Sequence, residues 1–292
     1  MGLPSHTPMI TLLHKDCKLG IGWRPELAWA IERRSDLGLV ELTAEDFAPG
    51  QPLPPAIQQL RARGVTLIPH GVTLSLGGTD PLDLATLRHL AGLAEATQAP
   101  LVSEHLAYVR ADGLETGHLL PLPRTRVMLE HLVQQIKQAQ AALPVPLALE
   151  NIASLIDWPG PEMSEGVFLT EVLERTDTLL LLDIENVYAN ARNRQEDPIA
   201  FLDQIPLQRL AYVHIAGGIE QGGLYHDTHT YPVPTPVLSL LEELCARVAV
   251  PGVVLERDDN FPSETDLHAE LDAIAAAIQH GAARREGVHG HS

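Results

Sequence analysis

Eight short apolar runs alternate with stretches of helical periodicity along nearly the whole chain, and this alternation is the strongest constraint on its fold. The runs cover the following residues: Leu19–Trp23, Leu39–Phe47, Val65–Val72, Pro100–Val109, Pro146–Ile152, Thr178–Val187, Leu210–Ala216 and Gly252–Arg257. Repeated strand–helix units with right-handed crossovers build a parallel sheet, and strands this apolar need cover on both faces. Eight units within 292 residues predict a single (β/α)8 TIM barrel of the α/β class, which needs about 250 residues. We expect residues 1–280 to form the barrel and residues 281–292 to be a disordered tail.

Charge and cysteine content exclude several classes of protein. The formal net charge is -18, and the only lysines are Lys15, Lys18 and Lys137. A broad nucleic-acid or anionic-membrane interface needs a basic surface, so neither partner is expected. Cys17 and Cys245 lie far apart in the sequence, which fits a reducing compartment and excludes a disulfide framework. With no signal-peptide pattern and no membrane-length apolar stretch, we expect a cytoplasmic protein.

Polar residues that can bind metal close most of the apolar runs. Side chains at the C-terminal ends of barrel strands meet at one rim, where barrel enzymes carry out their chemistry. Imidazole and carboxylate groups together suit iron, manganese or zinc. The sequence therefore predicts a metal centre at this rim. The candidate ligands are His70, His105, Glu150, Asp183, Glu185, His214, Asp227, His229 and Glu256.

The carboxylates give the most direct physical argument for a bound cation. Glu150 and Glu256 each close a strongly apolar run, where an unpaired charge costs several kcal/mol to bury. Asp183 and Glu185 are two positions apart, so on a strand they share a face and repel each other unless a cation lies between them. The alternative for this pair is an exposed strand end with an arginine partner such as Arg192.

Other polar residues near the rim have different expected roles. A lone histidine at a strand end is often a structural hydrogen-bonding group, and only the convergence of several favours ligands. Strand alternation turns Glu104 away from His105, while Asn151 is expected to orient a neighbouring group. For His226, the sequence leaves open a ligand, a supporting contact or no role.

Nine segments, taken in order, resemble the multinuclear non-haem iron-dependent oxidative enzymes (MNIO; domain of unknown function 692). This family is typified by the iron subunit that makes the oxazolone of methanobactin. The segments begin at Gly20-Ile-Gly-Trp, Glu41-x-x-x-Glu45, His70-Gly-Val-Thr, Ser103-Glu-His-Leu, Leu149-Glu-Asn, Leu182-Asp-Ile-Glu-Asn, Val213-His-Ile-Ala-Gly, Asp227-Thr-His and Leu255-Glu. Each segment alone is weak, but their order and number are specific.

The resemblance implies a xylose-isomerase-like barrel with two or three iron ions at its rim. It also implies oxygen-dependent modification of a ribosomally synthesised precursor peptide, usually at cysteine, often with a small partner protein that presents the peptide. The ligands implied by the matching segments are His70, His105, Glu150, Asp183, His214, Asp227, His229 and Glu256.

The chain departs from the family pattern at two positions. Many members have a histidine soon after the first strand, where this chain has Pro25, Glu26, Leu27 and Ala28. Many have asparagine two residues after the sixth-strand aspartate, where this chain has Glu185. A carboxylate in place of an amide changes the charge of the site. Both departures leave the number of ions and the reaction open.

Two other functions remain possible from the residues alone. The first is a metal-dependent hydrolase or isomerase on the same barrel. Cleavage of phosphodiesters in DNA calls for a basic surface, and sugar isomerases commonly use a lysine at the rim, whereas no lysine closes a predicted strand here. The second is a non-catalytic protein that binds metal or peptide.

Overall fold

The computed structural model describes residues 17–289, and these residues build strands, helices and short 3-10 turns. The strands are β1 (Lys18–Gly22), β2 (Leu39–Thr43), β3 (Thr66–Gly71), β4 (Val102–His105), β5 (Tyr108–Ala111), β6 (Leu114–Leu120), β7 (Leu147–Glu150), β8 (Leu179–Asp183), β9 (Leu210–Ile215), β10 (Ile219–Gln221), β11 (Leu224–His226) and β12 (Gly252–Leu255). The helices are α1 (Ala28–Arg33), α2 (Pro55–Ala62), α3 (Leu84–Thr97), α4 (Arg126–Ala142), α5 (Glu165–Thr176), α6 (Ile184–Arg194), α7 (Pro198–Leu202), α8 (Thr235–Arg247) and α9 (Glu264–His289). The 3-10 turns are Pro25–Leu27, Ala44–Asp46 and Leu207–Arg209.

Eight of the strands close into a parallel barrel, in the order β1-β12-β9-β8-β7-β4-β3-β2. Its closing pair aligns Leu19 of β1 with Val253 of β12, so the first and last barrel strands of the chain are neighbours. Helices follow the strands, and the gap between helices and barrel is filled by a continuous layer of buried aliphatic side chains. The predicted TIM-barrel fold is therefore confirmed.

Strand alternation separates the residues inside the barrel from those that face the helices. Leu180 and Leu182 of β8 pack in the layer beneath the helices, whereas Leu179 and Leu181 join a second buried cluster inside the barrel. Continuing this alternation by two residues brings Asp183, at the end of β8, to the inward face. The same spacing links inner apolar residues to polar rim residues on other strands: Ile68 to His70, Ala148 to Glu150, Tyr212 to His214 and Val254 to Glu256.

Two antiparallel hairpins rise from the rim where the sequence shows its long connections. One is formed by β5 and β6, between β4 and α4. The other is formed by β10 and β11, between β9 and α8. The residues of the second hairpin lead directly into Asp227 and His229, so this hairpin positions candidate ligands that no barrel strand carries.

The sixth unit differs from the sequence prediction. Residues 184–187 were expected to continue the strand, but α6 begins at Ile184, directly after Asp183. The Asp183 side chain accepts a hydrogen bond from the backbone N–H of Asn186 at 2.7 Å and thereby caps the helix. Glu185 consequently lies in the first turn of α6, and the argument that it shares a strand face with Asp183 is wrong.

The expected disordered tail is also corrected, because α9 continues to His289. Gly281 allows this helix to approach α8: a Cβ atom there would lie 2.3 Å from the carbonyl oxygen of Glu242. Arg284 then forms an ion pair with Glu243 at 2.8 Å. Packing on α8 thus orders residues that composition alone marks as a tail, while residues 290–292 lie outside the described part. Within residues 17–289, no helix is both long and apolar enough to cross a bilayer.

Candidate metal centre

The first cluster of candidate ligands lies where β3, β4 and β7 end. His70, His105 and Glu150 each offer one possible ligand atom, and these atoms lie within 4.8 Å of one another. The Oε2 atom of Glu150 lies 3.5 Å from Nε2 of His70 and 3.2 Å from Nε2 of His105. All three residues are at most 9% exposed, so this group is closed to bulk water on most sides.

The second cluster adjoins the first through Glu150. It contains Glu150, Asp183, His214 and Glu256, all buried. Nδ1 of His214 lies 3.2 Å from Oε1 of Glu150 and 3.0 Å from Oε2 of Glu256. Because Glu150 uses one oxygen in each cluster, it is placed to bridge two ions.

The third cluster joins α6 to the loop after the β10–β11 hairpin. It contains Glu185, Asp227 and His229. Nε2 of His229 lies 2.6 Å from Oδ1 of Asp227 and 3.7 Å from Oε2 of Glu185. The same Nε2 atom is 3.9 Å from Oδ2 of Asp183, so Asp183 connects the second cluster to the third.

The spacings within the clusters suit a metal coordination sphere. Two ligand atoms each about 2.1 Å from an ion, at angles of 90° to 109°, lie roughly 3.0 to 3.4 Å apart. The contacts of Glu150 with His105 and His214 measure 3.2 Å each. The 2.6 Å contact between Nε2 of His229 and Oδ1 of Asp227 is shorter and is an ion pair when the imidazole is protonated.

Unpaired polar atoms make the strongest case that a cation belongs here. Buried polar groups in proteins nearly always have a partner, and an unpaired one costs about 1–3 kcal/mol. Among the described residues, only eight buried side-chain N or O atoms lack a hydrogen-bond partner, and five belong to the candidate ligands. These five atoms are Glu150 Oε2, Asp183 Oδ2, Glu185 Oε2, Asp227 Oδ1 and His229 Nε2.

The histidines are oriented as ligands are. When one imidazole nitrogen donates its hydrogen to an acceptor outside the site, the other nitrogen presents a lone pair to the metal. Three of the four histidines have such an acceptor that cannot itself donate. The pairs are His105 Nδ1 with the carbonyl oxygen of Gly71 at 3.3 Å, His214 Nε2 with Oε2 of Glu41 at 2.7 Å, and His229 Nδ1 with Oδ2 of Asp258 at 3.3 Å.

The pKa values of Asp183, Glu185 and His229 show that the metal-free site lacks positive charge. Burial and then Asp227 raise the pKa of Glu185 from 4.5 to about 10. Burial likewise raises the pKa of Asp183 well above its usual value. Burial opposes protonation of His229, but Asp227 and Glu256 outweigh it and raise its pKa. Without a metal, protons therefore supply the neutralising charge that this arrangement of carboxylates requires.

The first cluster has a different balance of protonation. Burial and the neighbouring His105 lower the pKa of His70 to about 3, so its imidazole is neutral. Burial also disfavours protonation of His105, but Glu150 and Glu104 outweigh it and raise its pKa to about 9. Burial raises the pKa of Glu150, but the surrounding histidines outweigh it, so its pKa falls and the carboxylate stays ionised between them.

All nine residues predicted as ligands thus lie within three adjoining clusters. Glu104 points away from them and accepts hydrogen bonds from the backbone N–H groups of Leu74 and His105. Asn151 binds the backbone of Asp183 through both amide atoms. His226 contacts the carbonyl oxygen of Gln221 at 3.2 Å and belongs to none of the three clusters.

Sequence reasoning missed several residues that support the candidate ligands. Glu41, Ser103 and Tyr212 lie beneath the clusters inside the barrel, and Asp258 contacts His229 from the loop after β12. Strand alternation was an available signal, because the first three lie two positions from Leu39, Leu101 and His214, respectively. Asp258 had no such signal, since it lies in a loop.

A cavity of about 750 Å³ opens over the clusters. His105, Glu150, Asp227 and His229 lie at its base, and its walls come from the β5–β6 hairpin and the loop after β7. Among the wall residues, Leu155 and Ile156 are 54% and 51% exposed, respectively. The site is therefore open to a substrate larger than water, along an apolar wall.

The two departures from the family pattern have separate structural consequences. Leu27 is 3% exposed and packs in the layer under the helices, so it provides no ligand. Glu185 lies in the third cluster, and its Oε1 atom accepts a hydrogen bond from the hydroxyl of Tyr225 at 2.9 Å. The extra carboxyl group therefore gives the third cluster a further acidic ligand, which a proton neutralises in the metal-free protein.

Comparisons with known proteins identify the family of this chain. The family described as "RiPP precursor modification enzyme MbnB/TglH/ChrH" matches residues 18–279, where RiPP denotes a ribosomally synthesised and modified peptide. A UPF0276 protein of Streptomyces avermitilis is 53% identical over 272 residues, which cover 91% of this chain and 56% of that protein. The chain thus spans about half the length of that relative. A UPF0276 protein of Caulobacter vibrioides is 37% identical over 261 residues, which cover 88% of this chain and 92% of that protein.

Solved structures support the architecture alone. An L-ribulose 3-epimerase superposes with a TM-score of 0.62 over 93% of this chain and 98% of that chain, at 14% sequence identity. Such a likeness shows the (β/α)8 barrel fold alone and carries no information about the reaction. The sequence matches are far stronger and span the clustered residues. On that basis, this chain belongs to the MbnB/TglH/ChrH family of RiPP precursor modification enzymes.

Proposed function

We propose that this protein is an iron-dependent oxidase that uses dioxygen to modify a side chain, that of cysteine, in a ribosomally synthesised precursor peptide. The observation that carries the proposal is the run of three adjoining clusters, joined through Glu150 and Asp183, at the base of an open cavity. Membership of a family of precursor-modifying enzymes supports a peptide substrate.

The donor set suits two or three iron ions. His70, His105 and Glu150 would hold the first, and Glu150, Asp183, His214 and Glu256 the second. A third ion would bind Glu185, Asp227 and His229. Imidazole nitrogen with carboxylate oxygen suits iron, manganese or zinc, and the resemblance to iron-dependent oxidative enzymes is the reason for proposing iron. Bound iron would supply one-electron redox chemistry and a Lewis-acid position for a substrate thiolate.

The protein's own residues prepare this site for a thiol substrate. Leu155 and Ile156 give the cavity an apolar wall that is about half exposed, and a peptide bound against it would displace water and strengthen electrostatic interactions within the cavity. Asn186 also lines the cavity, and its Nδ2 group donates to the carbonyl oxygen of Asn151 at 3.1 Å. That bond orients the amide, so its unpaired Oδ1 atom is a fixed acceptor beside the site.

The cavity shape supports an extended peptide. Its volume of about 750 Å³ lies in the upper part of the range of roughly 300–1,000 Å³ for ligand sites. The β5–β6 hairpin provides one wall and the loop after β7 provides another. A peptide lying between them can bring one side chain to the clusters while its neighbours stay outside. A small partner protein that presents the peptide, and a cytoplasmic location, complete the proposal.

The direct test uses protein purified without oxygen and loaded with ferrous iron. Short cysteine-containing peptides encoded beside its gene are added with dioxygen, while oxygen uptake and peptide mass are followed. We expect a mass change that requires both iron and oxygen, and its loss in Glu150→Gln. Glu95→Gln, an exposed substitution on α3, is the matched control and should retain activity. Full turnover after exhaustive iron removal would reject the proposal.

A sugar isomerase or a phosphodiester hydrolase on the same barrel is less well supported. Lys18, at the start of β1, binds Thr66 Oγ1 at 2.6 Å at the opposite end of the barrel, and Lys137 lies within α4. Neither lysine lies at the rim that holds the clusters, and Lys15 lies outside the described residues. Oxygen-independent conversion of a sugar would favour the isomerase. Tight iron binding without oxygen uptake would favour a non-catalytic binding protein.

A further inference from the structure

We propose that Ser103 and Tyr212 are positioning residues that set which nitrogen of His70 faces the first metal cluster. They belong to a polar relay, defined as the hydrogen-bonded series His70–Ser103–Tyr212–Glu41–His214. This inference rests on the proposed metal centre. It adds a role for Ser103 and Tyr212, which act on His70 from the side that faces away from the first cluster.

The relay is continuous and buried. Nδ1 of His70 lies 2.9 Å from Oγ of Ser103, which lies 2.7 Å from the hydroxyl of Tyr212. That hydroxyl donates to Oε2 of Glu41 at 2.5 Å, and the same Oε2 atom is 2.7 Å from Nε2 of His214. None of the five residues is more than 3% exposed. Water therefore does not compete for these bonds, and every hydrogen must be assigned within the relay.

The Glu41 carboxylate fixes the direction of every bond. A carboxylate only accepts, so Tyr212 and Nε2 of His214 both donate to Glu41. The Tyr212 hydroxyl has one hydrogen and has used it, so it must accept from the hydroxyl of Ser103. Ser103 has then used its own hydrogen, so it must accept from Nδ1–H of His70. No other arrangement satisfies all four bonds.

These bond directions fix the position of a hydrogen on each of the two histidines at the ends of the relay, His70 and His214. His70 carries its hydrogen on Nδ1, so its Nε2 lone pair faces Oε2 of Glu150 and the first cluster. His214 carries a hydrogen on Nε2, so its Nδ1 atom is the one directed toward Glu150 and Glu256. One carboxylate on β2 thus prepares ligands of two neighbouring clusters, and it reaches His70 only through Tyr212 and Ser103.

Removing the Tyr212 hydroxyl gives an asymmetric prediction. In Tyr212→Phe the Ser103 hydroxyl loses its acceptor and can turn to donate to Nδ1 of His70. The His70 hydrogen then moves to Nε2, where it blocks the lone pair that the first cluster needs. His214 keeps its bond to Glu41, so the second cluster is spared. A purely structural role for Tyr212 would lower stability without separating the two clusters.

The test uses the full-length protein, stripped of metal by a chelator, labelled with 15N-histidine and titrated with zinc, a diamagnetic probe. Imidazole 15N shifts report the His70 tautomer, with its signal identified by its absence in His70→Ala. Zinc affinity is measured by competition with a chromophoric chelator. Thr97→Val is the matched control, because it deletes a buried hydroxyl on α3 that bonds to the carbonyl oxygen of Leu93.

We expect Tyr212→Phe and Ser103→Ala to weaken one class of zinc site by about 10- to 100-fold, the range for lost support of a metal-bound histidine. The remaining zinc should bind as in the wild type. In metal-free Tyr212→Phe, the His70 hydrogen should appear on Nε2, whereas in the wild type it should be on Nδ1. Thr97→Val should lower stability and change neither the zinc affinity nor the position of the His70 hydrogen.

The outcomes separate this inference from the proposed function. A wild-type His70 that carries its hydrogen on Nε2 would overturn the relay, as would unchanged zinc affinity in both relay variants. A wild-type His70 with its hydrogen on Nδ1, which moves in Tyr212→Phe, supports the relay even without activity. Failure of the wild type to bind zinc or iron would instead contradict the proposed metal centre. Two variants are used so that misfolding of one does not remove the test.

Discussion

Replacing Glu185 with glutamine should stabilise the metal-free protein, and the gain should grow as the pH rises. Burial and then Asp227 raise the pKa of Glu185 from 4.5 to about 10, so the folded protein keeps a proton that the unfolded chain releases above pH 4.5. The contribution of this group to stability is therefore complete below that pH and is lost progressively as the pH rises toward 10. Glutamine stays neutral throughout and keeps an oxygen that can accept from Tyr225.

The magnitude follows from proton linkage. One fully retained proton lowers the free energy of unfolding by about 1.4 kcal/mol per pH unit, or about 2.7 kcal/mol between pH 6 and 8. Asp183 competes with Glu185 for the same neutralising proton, since the pKa of Asp183 is also raised by burial and by Asp227. We therefore expect a change of roughly 1–3 kcal/mol over that interval. For a chain of 292 residues, an unfolding entropy of about 0.6 kcal/mol/K converts this to roughly 2–5 °C in Tm.

The assay compares thermal unfolding of Glu185→Gln and the wild type in excess chelator at pH 6, 7 and 8. The difference in Tm between the two proteins should widen steadily with pH. Glu95→Gln is the control, since this exposed side chain on α3 is solvated in both states. A difference that is constant or narrows with pH would refute the account of the third cluster.

Three further predictions concern the metal itself. Glu150→Gln, which alters the one residue shared by the first two clusters, should remove two iron ions per chain in elemental analysis, whereas loss of only one ion would contradict bridging. Gly218→Ala places a Cβ atom 2.2 Å from the carbonyl oxygen of His226 and 2.7 Å from Oε1 of Glu185. It should therefore displace the β10–β11 hairpin and remove only the third ion, as seen by stoichiometry. Ligands must lose protons to bind a metal. The difference in Tm between iron-loaded wild type and wild type in excess chelator should therefore increase from pH 6 to 8. A decrease would show that no carboxylate proton is displaced.

The barrel could be predicted from the sequence because its signals are local and repeated. The apolar runs recur eight times and most end in polar residues, and strand alternation carries residues such as Glu150 and His214 to the interior. The same rule explains why Glu104, one residue away from His105, faces the other side. Clustering of the rim residues then follows from closure of the barrel.

The parts that were not predicted depend on tertiary contacts. α6 begins directly after Asp183 because that side chain caps the helix. The sequence of β8, four leucines and an aspartate, does not reveal that its last residue is a helix cap. α9 continues past Gly281 because α8 supports it. The link from Glu41 to His70 crosses between strands through Tyr212 and Ser103, so no sequence spacing could reveal it.

Elemental analysis of protein purified without oxygen tests the central claim most directly. Three adjoining clusters of imidazole and carboxylate groups, with five unpaired buried atoms, predict two or three iron ions per chain. That number should fall in Glu150→Gln and remain unchanged in Glu95→Gln. A wild-type protein that folds correctly but retains no transition metal, even when iron is supplied in excess, would contradict the account.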